Sequence, residues 1–170
     1  ISFTALRLQN VYGPGQSLRN PYTGILSIFT NTLKQGGSID IFEDGEESRD
    51  FVYIDDVTRA FRLALDVPAS PDNIINVGTG NRHTVSEIVG LLERKIGVSG
   101  RSYISGRFRP GDIRHCFADV SRMNRILGFK AETPLIDGLS ATVDWALNQP
   151  AELDRSDAAN RELEALVRRN

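Results

Sequence analysis

Residues 74–97 read IINVGTGNRHTVSEIVGLLERKIG, and this stretch decides the fold class. IINVG is a short apolar run of the kind that forms a buried strand, and it leads directly into a Gly-Thr-Gly turn. Beyond the turn, Thr84 and Glu87 stand at the Thr-x-x-Glu spacing of a capping box, in which each side chain takes up an amide that the helix start leaves open. Val85, Ile88, Val89 and Leu92 then recur at the helical period and form one apolar face. Strand, tight turn and helix in that order are the parts of an α/β protein. A Gly-x-Gly turn here also raises the question of phosphate binding, because amides at a helix N-terminus attract anions. His83 stands where the third glycine of a dinucleotide fingerprint would be, and no acidic residue closes a following strand about 20 residues on. A tight turn and a helix cap are therefore the preferred reading.

Upstream, FTALRLQNVY (3–12) predicts a short buried strand running into the loop GPGQSLRNPYTG, whose Gly, Pro, Asn and Ser break regular structure. Ile25, Ile28, Phe29 and Leu33 predict a helix over ILSIFTNTLKQ, stopped by Gly36 and Gly37. SIDIF and DFVYI read as strands around the turn EDGEES. A helix over DVTRAFRLAL follows, capped by Asp55 or Asp56 and burying Val57, Phe61 and Leu65, with PASP as the linker to the quoted stretch. Downstream, the basic loop SGRFRPGDIRH leads to a CFADV strand, then to a short helix that Asp119 caps and Gly128 ends. Pro134 opens a helix, LIDGLSATVDWALNQ, that buries Leu135, Leu139, Val143 and Leu147 and turns Trp145 toward the body. The charged tail Ala151 to Asn170, with Leu163, Leu166 and Val167 as its apolar stripe, reads as a loosely docked helix or a frayed end.

The chain has 170 residues, with 20 Lys+Arg against 22 Asp+Glu, a net charge of −2. That balance argues against binding nucleic acid or an anionic membrane through bulk charge. No apolar run approaches the roughly 18 residues of a membrane helix. The single cysteine, Cys116, forbids an intrachain disulfide and suits a cytoplasmic location. The start, ISFTALRLQN, lacks an initiator Met and any signal-peptide pattern, so it reads as the interior of a longer chain.

His83 and His115 show no metal-ligand spacing, so no metal site is expected. With no G-x-S-x-G elbow, and Cys116 read as a small buried residue of its strand, covalent hydrolysis is disfavoured. Arginines are more informative: Arg49 in ESRDF, and Arg107, Arg109 and Arg114 around Pro110-Gly111-Asp112. A guanidinium matches phosphate oxygens two at a time, so arginines from two loops could clamp a diphosphate. The alternative is pairing within the chain, Arg49 with Asp50 or a surface carboxylate and Arg109 with Asp112. Three arginines within RFRPGDIR suggest a local positive site suited to a small anion.

RLQNVYGPGQ, GILSIF, FEDGEESRDFVYIDDVTRA, INVGTG, RPGDIRHCFADVSRMNRILGF, PLIDGL and the Trp145 helix follow one another in an order that resembles the C-terminal half of nucleotide-sugar epimerases and dehydratases of the extended short-chain dehydrogenase/reductase family. The resemblance covers about Leu6 to Trp145. It implies an α/β fold: a substrate-binding domain over 1–150 carrying the last Rossmann strands (about 3–12 and 73–78), with 151–170 as the tail and most of the Rossmann domain missing. It also implies a UDP- or dTDP-hexose substrate, NAD as cofactor and a homodimeric enzyme, with oxidation at C4, a keto intermediate and its re-reduction. By position, Asn10 matches a sugar or phosphate contact. Leu8 and Gln9 match backbone under the nicotinamide. Gly24, Ile25 and Leu26 match a helix start at the diphosphate or sugar, and Asp40 and Phe42 match positions that pass the base. Arg49 matches the diphosphate arginine, and Arg109 with Asp112 the pair on phosphate and ribose.

The family's glycine-rich cofactor turn and catalytic Tyr-x-x-x-Lys are absent: no lysine stands four residues beyond Tyr12, Tyr22, Tyr53 or Tyr103. The resemblance thus implies no catalytic residue in this piece, which alone would be inactive, with NAD bound mainly by the absent N-terminal half. A 4,6-dehydratase piece, a non-catalytic nucleotide-sugar binding module and a structural remnant remain as alternatives. A piece of this kind should leave the face of Phe3, Leu6, Leu8 and IINVG uncovered.

Overall fold

The pairing of strands rather than their number organises this chain. The computed structural model describes residues 3–18, 24–66, 73–108 and 111–150. Five helices and nine short strands lie in these segments. β1 (Thr4–Leu8) pairs in parallel with β6 (Asn73–Val77), Leu6 facing Ile75. β2 (Asn10–Tyr12) pairs in parallel with β5 (Phe51–Tyr53), and β3 (Ile39–Ile41) with β8 (Ser102–Ile104). The two-residue β4 (Ser48–Arg49) sits between β7 (His83–Thr84), antiparallel, and β9 (His115–Cys116), parallel.

The predicted strand 3–12 is therefore two strands with one break. Gln9 still donates to Val77 O (2.9 Å), whereas the next amide, Asn10, donates to Asp50 O (3.0 Å). The chain changes partners at that bond.

Two apolar clusters flank this frame. In the first, α1 (Ile25–Lys34), α3 (Val85–Ile96) and α5 (Leu135–Leu147) pack together over Tyr12, Phe51 and Ile39. In the second, α2 (Ile54–Asp66) and α4 (Ser121–Leu127) bury Val52, Ile75, Val77 and Met123. Successive residues of a strand point to opposite faces, so Phe51 serves the first cluster and Val52 the second. Burying the eleven residues of the first cluster and the eight of the second, at roughly 1.5–3 kcal/mol for each large apolar side chain, supplies the main driving force. Lys34 joins α1 to the end of α5 by donating to Ala146 O (3.1 Å) and Gln149 O (2.5 Å).

Several expectations need correction. Phe61 and Leu65 are exposed, at 50% and 86%. Val57 is buried as expected, and helix α2 completes its packed face with Ala60, Leu63 and Ala64 rather than with Phe61 and Leu65. Asp55 and Asp56 lie within its first turn rather than before it, and Asp56 accepts amides from Glu132 (3.4 Å) and Thr133 (3.0 Å). In α1 the most buried positions are Leu26, Ser27, Thr30, Asn31 and Leu33, with Ile25 and Phe29 packed at the margin and Ile28 half-buried. In α5 the buried stripe is Leu139, Thr142, Val143 and Ala146, leaving Leu147 at the exposed end of the helix. Phe3, Leu8 and Ile74 are exposed, but Leu6 packs inward and Ile75 and Val77 are fully buried, so one face of the β1–β6 pair is uncovered and the other is core. The tail 151–170 lies outside the described residues.

Candidate functional site

Where the chain passes from β1 to β2, a cavity of about 350 Å³ opens, lined by Leu8, Gln9, Asn10, Arg49, Gly111, Asp112, Ile113 and Cys116. Its walls are the ends of β1, β4 and β9, the first residue of β2, and the loop before β9. Parallel pairing of β4 with β9 sets Arg49 opposite Cys116. Arg49 is held by three acceptors: Nη1 donates to Ser48 O (2.9 Å) and Arg114 O (3.2 Å), and Nη2 to Asp112 Oδ1 (2.5 Å). Its side chain is 16% exposed, so the guanidinium is preorganised and only partly solvated. The Cys116 thiol donates to Gln9 Oε1 (3.7 Å) across the floor.

The cavity thus gathers five predicted residues: Leu8, Gln9, Asn10, Arg49 and Asp112. Arg109 lies outside the described residues, and Asp112 pairs with Arg49. Gly24, Ile25 and Leu26 form the start of α1, with Gly24 as N-cap at φ 85° and no side-chain cap bond. Gln16 ties that start to β2, accepting from Ser27 Oγ (2.8 Å) and donating to Val11 O (3.3 Å). A Cβ on Gly24 would meet Gln16 Nε2 at 2.7 Å, so this glycine answers to both space and backbone. Asp40 and Phe42 do not line the cavity; both engage Arg107, by an ion pair and by a stack of the guanidinium 5.1 Å above the ring.

The expected positive site is corrected. Arg107 is neutralised by Asp40, and Arg114 pairs with Glu43 (2.7 Å) and Asp44 (2.6 Å). These partners stand more than sixty residues away in sequence, beyond the reach of local pattern. The predicted CFADV strand reduces to His115–Cys116, and Cys116 is a half-buried cavity residue rather than core.

The glycine turn already holds an anion, the chain's own. Asp50, fully buried, accepts from Thr79 N (2.9 Å) and Thr79 Oγ1 (2.6 Å) at Oδ1, and from Gly80 N (2.9 Å) and Ala118 N (3.2 Å) at Oδ2. The start of α3 is equally taken: Val85 N donates to Glu47 O (2.9 Å), Ser86 N to Gly45 O (3.1 Å) and Glu87 N to Thr84 Oγ1 (3.1 Å), with the predicted capping box complete. No amide there is left for a phosphate. Asp50 was missed because an acid before an apolar strand reads as a flank.

Tyr12 and Tyr53 have raised pKa values, chiefly from burial, with Tyr53 adding to the effect at Tyr12 and Asp55 to that at Tyr53. That is the wrong direction for a proton donor working near neutral pH. Ser48 Oγ lies 2.9 Å from His115 Nδ1, but Ser48 is 1% exposed and cannot reach a substrate. Among the described residues, Glu43, Asp44 and Glu47 form the one group with metal-site spacing, and Arg114 already supplies its positive charge. Asp44 is held below the usual carboxylate range by the Arg114 hydrogen bond, while Glu47 is pushed up by burial and by Glu43 and Asp44 beside it.

Parallel strand pairs whose carboxyl ends open onto a cavity define an α/β protein of the kind that takes its ligand at the strand ends. Residues 1–78 match the model of the NAD dependent epimerase/dehydratase family. The dTDP-L-rhamnose 4-epimerase of Burkholderia thailandensis is 36% identical over 152 residues, 89% of this chain and 41% of that protein. The structure of UDP-glucose 4-epimerase with UDP-glucose from Thermotoga maritima superposes with a TM-score of 0.77 at 36% identity, covering 85% of this chain and 46% of that one. UDP-glucuronic acid 4-epimerase from Bacillus cereus, in complex with UDP-glucuronic acid and NAD, gives 0.77 at 29% identity over 86% and 45%. The chain belongs to the NAD-dependent epimerase/dehydratase family, of the extended short-chain dehydrogenase/reductase type. It spans a little under half the length of these relatives. No helix among the described residues is long and apolar enough to cross a membrane.

Proposed function

We propose that this chain is the nucleotide-sugar-binding part of an NAD-dependent 4-epimerase acting on a UDP- or dTDP-hexose. The carrying observation is the cavity in which Arg49, Asn10 and Asp112 meet at the end of β1. Three of the five Arg49 N–H donors are engaged by Ser48 O, Arg114 O and Asp112, which holds the guanidinium plane in place while further donors remain for a diphosphate oxygen. The relatives above, 4-epimerases of UDP- and dTDP-linked sugars, support the same class.

The residues present fit the nicotinamide end of NAD. Leu8, 41% exposed at the cavity, offers an apolar face, and Gln9 is fixed beside it by its amide bond to Val77 and by the Cys116 thiol. They do not fit its pyrophosphate, since Asp50 fills the glycine turn and α3 has no open amide. In this proposal the phosphates of NAD are held by chain outside the described residues. NAD, when bound, supplies the hydride chemistry at C4. Asn10 and Arg49 hold and orient the substrate.

Calorimetric titration of the intact gene product with UDP- and dTDP-sugars tests the proposal. Arg49→Ala is expected to weaken binding by about 1.5–3 kcal/mol, the scale of a hydrogen bond to a charged group. Unchanged affinity in that variant, or no binding by the parent protein, refutes it.

A further inference from the structure

Resting on the nucleotide-sugar reading above, we infer that Asp50 is a positioning residue: its buried carboxylate, seated in the glycine turn after β6, sets where Arg49 and Asn10 stand in the ligand cavity. A carboxylate with no exposed surface is costly unless donors surround it. Asp50 has four: the amides of Thr79, Gly80 and Ala118, which can only donate, and the Thr79 hydroxyl, which donates to Asp50 while accepting from Asn81 N (3.1 Å).

The main chain of the same residue reaches the cavity walls. Its amide donates to Cys116 O (3.1 Å) on β9, and its carbonyl accepts from Asn10 N (3.0 Å) and Asn10 Nδ2 (3.5 Å) on β2. Arg49 is its neighbour in the chain. One residue therefore joins three walls through its backbone and bolts them to a fourth element through its side chain. Asp50 lines no part of the cavity itself, so it acts through Arg49 and Asn10.

An acid is required rather than a side chain of that shape. Asparagine would turn an NH2 group toward at least one amide donor, which pushes the side chain out of the turn and the peptide with it. A residue that only filled space would accept the exchange.

The test is calorimetric titration of the intact gene product with UDP and with dTDP, for the parent, Asp50→Asn, Thr79→Val and Arg49→Lys, with the double variant Asp50→Asn/Arg49→Lys. The parent binds one of the two nucleotides; Asp50→Asn binds roughly tenfold more weakly and Thr79→Val about threefold. Arg49→Lys lowers affinity in the parent and adds little once Asp50 is changed, because the guanidinium has already lost its place. A lowered melting temperature with unchanged affinity, or an undiminished effect of Arg49→Lys in the double variant, overturns the inference and leaves the proposed function standing. Failure of the parent to bind either nucleotide overturns both. If Asp50→Asn does not fold, Thr79→Val decides, and unchanged affinity there overturns the inference.

Discussion

Replacing Gly78 by alanine puts the seat of Asp50 to a direct test. A Cβ at this position would lie 2.5 Å from Asp50 Oδ2, 2.8 Å from Gln9 Cγ and 3.1 Å from the Ala118 Cβ. Relaxed carbon contacts need roughly 3.5 Å, so the carboxylate must retreat by about 1 Å. Retreat takes Oδ2 beyond reach of its two amides, Gly80 N and Ala118 N, while Oδ1 keeps Thr79. Two hydrogen bonds to a charged group, at about 1.5–3 kcal/mol each, give a loss of about 3–6 kcal/mol. For a chain of this size that is a fall of roughly 6–24 °C in melting temperature. Gly78 does not have a left-handed backbone, so space alone is at issue. Gly36 is the converse, at φ 73° with nothing within 4 Å of its Cβ position, and Gly36→Ala should cost about 1–2 kcal/mol through backbone strain. Urea unfolding followed by the fluorescence of Trp145, the one tryptophan, compares the two. A Gly78→Ala loss no larger than that of Gly36→Ala refutes the reasoning.

Two further outcomes are expected. Thr84→Ala removes the half of the α3 capping box that Thr84 Oγ1 makes with Glu87 N, leaves the backbone amide of residue 84 free to donate to Glu87 Oε2, and should cost about 1 kcal/mol in urea unfolding; no measurable loss would mean the loop carbonyls of Gly45 and Glu47 suffice. Glu47 has its folded pKa raised above the ordinary 4.5, chiefly by burial. The folded protein therefore binds this proton more tightly than the unfolded chain does, and the stability it brings at acid pH is lost as pH rises from 4.5 through the raised value. Glu47→Gln should gain on the parent in melting temperature over that rise, and a difference constant from pH 4 to 8 would contradict it.

What could be read from sequence was what sequence determines locally. The turn at Gly78, the Thr84–Glu87 box and the αL stop at Gly128 each depend on neighbours within four residues, and all three stand as expected. The buried face of α2 is Val57 with Ala60, Leu63 and Ala64, not Phe61 and Leu65, because the apolar spacing 57–61–65 does not fix which side of the helix meets the strands. In the candidate site, Leu8, Gln9, Asn10, Arg49 and Asp112 were named from resemblance and meet in one cavity. Cys116 and Ile113 were not, since they depend on β9 lying beside β4, a pairing of segments some 67 residues apart, nor was the seat of Asp50, whose Thr79 and Gly80 donors stand 29 and 30 residues along the chain. A Gly-Thr-Gly turn without a third glycine was a usable clue: its amides need an anion, and an acid elsewhere in the chain can be that anion. Arg107 and Arg114 were overcounted as open charges for the same non-local reason.

The change of partners at Gln9 also bears on how the chain can vary in length. Thr4 to Leu8 are locked in register with Asn73 to Val77, and Asn10 to Tyr12 with Phe51 to Tyr53. A single residue joins the two registers. Inserting or deleting one residue anywhere from 4 to 12 would slide one strand against its partner and turn its core side chains to the wrong face. The span 13–24 just beyond carries no strand register in its described part. Among proteins of this architecture, variation in length should accumulate after Tyr12 and stop short of it.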